Sequence, residues 1–94
     1  MYIQNGDLVR IKRSFIGSKP NCLGYVYDTY PDFDDSSKTG VSIITDDGID
    51  LGGFSYREQK EFLEFVSHTD LLYNFKNVIK LSNDFDEGYF KDVF

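Results

Sequence analysis

The stretch TDDGIDLGGFSYREQ, residues 45–59, carries the strongest structural signals in this chain of 94 residues. Its Asp47-Gly48 pair lies between two strand-like segments, VSIIT at 41–45 and IDLGGF at 49–54. An Asp-Gly pair in that setting is typical of a β-hairpin turn. The stretch therefore predicts two antiparallel strands joined by a tight turn. Two of its acidic residues have no part in this prediction and stay available for a ligand: Asp46 and Asp50.

The residues after the hairpin predict a short helix. Ser55 is followed three positions later by Glu58, which is the capping box found where helices begin. We expect one or two helical turns beginning at Tyr56. The following FLEFV, residues 62–66, fits either a continuation of that helix or a short strand. We interpret this region as a short helix followed by a fifth strand.

The N-terminal half predicts the other strands. NGDLVRIKRSF, residues 5–15, begins with an Asn-Gly turn signal and continues as a strand with two different faces. LGYVYDTY, residues 23–30, is rich in the aromatic and β-branched residues that favour strands. The segments at 17–24 and 31–40 contain proline, glycine and polar residues, so we expect loops, the second of them solvated.

The C-terminal third predicts helical elements, with one alternative left open. Five apolar residues recur at helical spacing: Leu71, Leu72, Phe75, Val78 and Ile79. The segment NVIKL, residues 77–81, also fits a strand, so residues 71–81 stay open between helix and strand. Ser82 or Asn83 is expected to cap a last helix, whose first turn would hold acidic residues.

Composition favours a single, mainly β domain over residues 1–94. The chain contains nine Phe and seven Tyr but no Trp and no Ala. Aromatic residues favour pleated surfaces, whereas Ala is the best helix former. A chain of this length can bury one core, for which its 40% hydrophobic content is adequate.

Charge is distributed unevenly along the chain. The formal net charge is −6, with +3 in residues 1–25, −6 in residues 26–50 and −3 in residues 51–94. A net acidic domain lacks the overall electrostatic footprint of a non-specific DNA-binding protein. The basic first strand keeps a nucleic-acid interaction open as the weaker alternative.

The sequence predicts a cytoplasmic protein without a membrane partner. No apolar segment approaches the ~20 residues of a membrane-spanning helix. The N-terminal MYIQNGDLVR lacks the features of a signal peptide. Cys22 is the single cysteine, so an internal disulfide is excluded.

The order of these elements resembles the small SH3-like barrels. Four segments carry the resemblance: GDLVRI at 6–11, LGYVYD at 23–28, GVSIITDDG at 40–48 and GGFS at 52–55. The match covers about residues 5–67 and implies a barrel of about five strands, on which residues 68–94 would pack as an extension. Such barrels bind peptides, nucleic acids or other proteins, so the resemblance does not select a function.

Catalytic and metal sites are not predicted. An EF-hand loop that started at Asp32 would lack the Gly at position 6 and the Glu at position 12, and one that started at Asp46 would have Gly48 at position 3 and Leu51 at position 6. Cys22 and His68 cannot build a zinc site without carboxylates, and no nearby motif supports a catalytic pair. We expect no catalytic residue, no metal and no cofactor, and a protein that is not an enzyme. A small hydrolase is the least favoured alternative.

The favoured candidate site combines aromatic and acidic residues of the second strand and the loop after it. Its members are Tyr25, Tyr27, Tyr30, Asp32, Asp34 and Asp35. Tyrosine is enriched at interfaces and the carboxylates favour a basic partner, so we predict a non-enzymatic module that binds another protein. By analogy, small acidic proteins of this kind include inhibitors, immunity proteins and anti-defence proteins of bacteria and phages. The alternative is a nucleic-acid-binding accessory module that uses Arg10, Lys12 and Arg13.

Overall fold

A computed structural model describes residues 3–12, 21–46, 48–73 and 78–87. In this part of the chain the elements follow in the order β1 (Asp7–Ile11), β2 (Leu23–Pro31), β3 (Thr39–Thr45), β4 (Asp50–Phe54), α1 (Tyr56–Phe62), β5 (Leu63–His68) and α2 (Val78–Asp86). The strands form one antiparallel sheet in the order β4-β3-β2-β1-β5. The prediction of a mainly β protein with five strands and short helices is confirmed.

The sheet is not closed into a barrel. Strands β4 and β5 form its two edges, and the described residues show no pairing between them. Helix α1 begins two residues after β4 ends and contacts β3, β4 and β5. The helix therefore connects the two edge strands along the chain.

Local signals determine the first turn, the hairpin and the start of α1. Gly6 and Gly48 have positive φ angles of 90° and 86°, which glycine adopts without the steric cost of a Cβ. The Gly48 backbone N–H donates to the Thr45 carbonyl at 3.0 Å and closes the hairpin turn. At α1, Ser55 accepts from the Glu58 N–H while the Glu58 side chain accepts from the Ser55 N–H. The predicted hairpin, capping box and short helix before the fifth strand are confirmed.

The prediction for the last helix was wrong at its beginning. Helix α2 begins at Val78, so Ser82 and Asn83 lie inside it and do not cap it. The buried Leu81 packs on the sheet, and this contact outweighs the capping preference. The open question for residues 71–81 also has an answer: 71–73 have no regular structure, 78–81 are helical, and 74–77 lie outside the described residues. None of the described helices is long and apolar enough to cross a membrane.

Two clusters of buried side chains lie on the two faces of the sheet. The first face carries an entirely apolar cluster: Val9, Ile11, Val26, Val41, Ile43, Phe54 and Leu63. Helix α1 is held close to the sheet by Gln59, whose Nε2 donates to the carbonyls of Thr39 and Phe54. The second face carries a smaller cluster: Leu8, Tyr25, Ile44, Tyr73 and Leu81. The chain after β5 supplies two members of that cluster, Tyr73 and Leu81.

Candidate functional site

A bulge in β2 determines which tyrosines share a face. The register shifts at Tyr27, between the Val26–Ile43 and Asp28–Ser42 pairs. Side chains alternate between faces along a regular strand, so residues 25 and 30 would otherwise point to opposite sides. With the bulge, Tyr25 pairs with Ile44 and Tyr30 with Gly40, and both tyrosines lie on the second face.

Tyr25 belongs to the core and is not part of an exposed surface. Its side chain is only 2% exposed. Its hydroxyl donates to the Leu71 carbonyl at 3.0 Å and accepts from the Tyr73 N–H at 3.2 Å. The rings of Tyr25 and Tyr73 meet edge to face with their centroids 4.9 Å apart. Of the three predicted tyrosines, only Tyr27 and Tyr30 reach the surface.

Tyr27 is half-buried, and its hydroxyl is bonded to a carboxylate. It donates to Asp50 with distances of 2.9 Å to Oδ1 and 3.0 Å to Oδ2. Burial, and then the bond to Asp50 and its negative charge, raise the pKa of Tyr27 to about 12. Asp50 also accepts from the Gly52 N–H at 2.8 Å. Asp50 therefore has a structural role that the sequence did not reveal.

Tyr30 lies across two glycines of neighbouring strands. A Cβ placed on either Gly40 of β3 or Gly53 of β4 would collide with the Tyr30 ring or its hydroxyl. The absence of side chains at these two positions lets the ring rest directly on the sheet. Burial, and then the charges of Glu58, Asp32 and Asp28, raise the pKa of Tyr30.

Asp32 ties the acidic loop to α1. Its Oδ2 accepts from the Tyr56 N–H at 2.7 Å, and its Oδ1 accepts from the Asp34 N–H at 2.8 Å. These backbone bonds lower the pKa of the Asp32 carboxyl. Asp32 is only 6% exposed, so the expectation of a wholly solvated loop was wrong at this residue. One carboxylate fixes both the loop and the first turn of the helix.

The loop presents an aromatic side chain that sequence reasoning missed. Phe33 is 99% exposed, between the buried Asp32 and the exposed Asp34. The Asp35 carboxylate accepts from both the hydroxyl and the N–H of Ser37, which closes the far side of the loop. The only sequence signal for this exposure was the position of Phe33 among acids in a predicted loop.

A shallow groove of about 390 Å³ is lined by Tyr30, Asp32, Phe33, Asp34, Ser42, Gly53, Ser55 and Glu58. We call the region the tyrosine–acid surface and define it by Tyr27, Asp28, Tyr30, Phe33, Asp34, Asp50 and Glu58. It combines aromatic rings with carboxylates, and every ionisable side chain in the definition other than tyrosine is acidic. Such a surface attracts cations and disfavours anions.

The residues of the nucleic-acid alternative have contacts within the chain. Arg10 Nη1 donates to the Asn21 carbonyl at 3.0 Å, and Lys12 Nζ donates to the Lys60 carbonyl at 3.2 Å. Arg13 lies outside the described residues. Both described cations thus donate to backbone carbonyls of the protein itself. Neither contact prevents the side chain from also contacting a phosphate group.

The structure does not bring Cys22 and His68 together. The Cys22 carbonyl accepts from Ile11 at one end of β1, whereas His68 pairs with Asp7 at the other end. Four residues of strand separate these ends by roughly 13 Å. His68 Nδ1 lies 2.8 Å from Oδ1 of the buried Asp7. Across the described ranges, no group of three or more His, Cys, Asp and Glu side chains is arranged to hold a metal ion.

Comparison with known proteins gives no relative from which a function could be transferred. No protein-family model matches the sequence, and neither the curated proteins nor the solved structures contain a significant match.

Proposed function

We propose that this protein is a non-enzymatic binding module that contacts another protein through the tyrosine–acid surface. The observation that carries the proposal is the full exposure of Phe33 beside a groove that Tyr30 lines. An exposed aromatic residue next to half-buried rings and carboxylates resembles the aromatic centre and polar rim of many protein interfaces. An inhibitor-type role in the cytoplasm would be consistent with binding of this kind.

The charges support a basic partner. All members of the tyrosine–acid surface except Glu58 lie in residues 26–50, which is the most negative part of the chain with a net charge of −6. Complementary charge accelerates association and fixes orientation, whereas a negatively charged partner would be repelled. We therefore expect binding that weakens as the salt concentration rises.

The loop is well suited to present Phe33. Asp32 and Asp35 both accept bonds from the loop backbone, and Asp32 also anchors the loop to α1. A loop held in one conformation loses less entropy on binding than a loose one. This preorganisation supports Phe33 as the central anchor of the interface.

A titration followed by nuclear magnetic resonance tests the proposal with defined probes. Cationic peptides that contain aliphatic residues, and anionic peptides of matched length, are added to the isotope-labelled protein. We expect the cationic peptides to shift the signals of Tyr30, Phe33, Ser55 and Glu58. Phe33→Ala and Asp34→Lys should each weaken the binding at least several-fold, because one removes the anchor and the other reverses a charge.

Ile79→Ala is the matched control, because Ile79 is 74% exposed on α2 and lies outside the tyrosine–acid surface. Its affinity should equal that of the unmodified protein. The proposal is wrong if cationic peptides do not bind, or if Phe33→Ala and Asp34→Lys bind as well as Ile79→Ala does.

The nucleic-acid alternative has weaker support. Arg10 and Lys12 already donate to backbone carbonyls, and the protein as a whole is acidic. A gel-shift titration at low salt tests this alternative, with Lys12→Ala as the variant that should release a nucleic-acid probe.

A further inference from the structure

Tyr30 has the geometry of a stacking platform. Its ring edge and hydroxyl occupy the space that a Cβ on Gly40 of β3 would take, and its hydroxyl occupies the space that a Cβ on Gly53 of β4 would take, so the side chain packs closely against the sheet at both glycines. The same side chain lines the open groove. A ring held against the sheet in this way can contact a ligand in the groove without first changing its rotamer.

The surroundings of the ring are negative on more than one side. Asp32 and Glu58 line the same groove as Tyr30, and Asp28 lies two positions before Tyr30 on the same face. Asp32 directs both carboxylate oxygens to backbone donors, whereas Asp28 and Glu58 each accept a backbone N–H through one oxygen. A cation over the ring would therefore meet the negative face of the π system and carboxylates at its edges.

Among protein cations, arginine fits this arrangement best. The guanidinium is planar, so it can lie parallel to a flat ring and still direct N–H groups outward to carboxylates. A lysine ammonium is compact and strongly hydrated, and it cannot cover the ring in the same way. Ser42 and Gly53 line the same part of the groove and add little bulk beside the ring.

We propose that Tyr30 forms an arginine subsite within the tyrosine–acid surface, where a guanidinium of the basic partner stacks on the ring between Asp28 and Glu58. This inference rests on the proposed function and specifies the partner: an arginine-containing segment rather than a lysine-rich one. Phe33 and Tyr30 then have different roles. The Phe33 side chain inserts into the partner, whereas an arginine side chain of the partner stacks on the Tyr30 ring.

Three peptides of the same length and sequence provide the test. They carry arginine, lysine or the neutral isostere citrulline at each cationic position, and each is titrated into the labelled protein. We expect the arginine peptide to bind more tightly than the lysine peptide by up to about two- to five-fold, which is the range of a whole exposed cation–π contact, because lysine keeps part of that contact. The citrulline peptide should bind most weakly, because it keeps the shape but loses the charge.

Variants of the platform separate stacking from general charge attraction. Tyr30→Phe keeps the ring and should keep the preference for arginine. Tyr30→Leu removes the ring and should make the arginine and lysine peptides equal. Gly53→Ala places a Cβ against the Tyr30 hydroxyl and should also reduce the preference, because the ring must move. Ile79→Ala serves as the unaffected control, and the thermal midpoint of each variant reports whether it is folded.

The outcomes distinguish this inference from the proposed function. Equal binding of the arginine and lysine peptides by the unmodified protein overturns the subsite and leaves the binding module intact. Failure of all three peptides to bind overturns both. If Tyr30→Leu does not fold, magnetisation transfer between guanidinium protons and the Tyr30 ring in the unmodified complex decides, and its absence contradicts the subsite.

Discussion

The two faces of the sheet are built in different ways. On the first face, seven buried residues form a continuous apolar cluster, and each of them is at most 5% exposed. On the second face, a five-residue cluster covers only one part, and two of its members are tyrosines that use their hydroxyl groups. Asp28 and Tyr30 of the tyrosine–acid surface lie on another part of the second face.

This difference indicates that the apolar cluster of the first face stabilises this small protein, whereas part of the second face is available for recognition. Burial of apolar side chains on the first face leaves no polar group that needs a hydrogen-bond partner. It contributes about 25 cal/mol to the free energy of folding for each Å² of apolar surface buried. On the second face, hydroxyl and carboxylate groups must be paired, because a buried polar group without a partner costs free energy. Mutations should therefore act through cavities on the first face and through lost hydrogen bonds on the second.

Phe54→Ala should have the largest effect. Phe54 is fully buried in the first-face cluster and also contacts the Phe62 ring, with centroids 6.4 Å apart. Removal of a buried Phe typically costs about 3–5 kcal/mol, which includes the cavity left behind. Urea unfolding would measure the loss, with the exposed Phe33→Ala as the matched control of small effect. A loss below that of Tyr25→Phe would contradict the contrast between the faces.

Tyr25→Phe removes a single oxygen atom from the second face and so tests the contribution of its hydrogen bonds. The ring stays, but the acceptor of the buried Tyr73 N–H and the donor to the Leu71 carbonyl both disappear. We expect a loss of about 1–3 kcal/mol in the free energy of unfolding, which is the cost of an unsatisfied buried donor. Urea unfolding measures it. A neutral result would mean that residues 71–73 do not depend on this hydroxyl.

Asp32→Asn should have a smaller effect that depends on pH. Bonds from the Tyr56 and Asp34 backbone lower the pKa of Asp32 in the folded state, so the carboxylate favours folding above the unfolded pKa of about 4. That contribution is lost as the pH falls through the lower folded value. The thermal midpoint of Asp32→Asn should therefore be below that of the unmodified protein at neutral pH, and the difference should shrink at strongly acidic pH. A difference independent of pH would argue against the charge as its cause.

The sequence was sufficient to predict the structure where interactions between residues close together in the chain determine it. The Asp-Gly turn, the Asn-Gly turn and the Ser55–Glu58 capping box each act over a few residues, and all appear in the structure. They determine the strands around the hairpin and the beginning of α1. Propensity and turn chemistry are encoded locally, so these elements could be predicted.

The candidate site depends on contacts that no local pattern encodes. The Asp32 carboxylate meets the Tyr56 N–H across 24 positions, and the Tyr25 hydroxyl meets the Tyr73 N–H across 48. The bulge at Tyr27 depends on the register between β2 and β3. The predicted set of tyrosines and aspartates therefore included Tyr25, which the structure buries in the core, and it omitted the exposed Phe33.

Asp50→Asn should have the smallest effect on stability, because the bond from Tyr27 is exposed to solvent. Its signature is the titration of Tyr27, whose folded pKa of about 12 lies above the ordinary tyrosine value of 10.0. A raised pKa means that the folded state favours the protonated phenol, so this contribution is complete below pH 10 and is lost as the pH rises through about 12. Without the Asp50 charge, the pKa of Tyr27 should fall towards 10, and burial should keep it from reaching that value. Ultraviolet titration of the phenolate, with Tyr27→Phe to identify the signal, measures the change. An unchanged titration would show that burial alone raises the pKa of Tyr27. Asp50 would then have no part in the raised pKa, and Tyr27 would behave like any tyrosine that its neighbours cover.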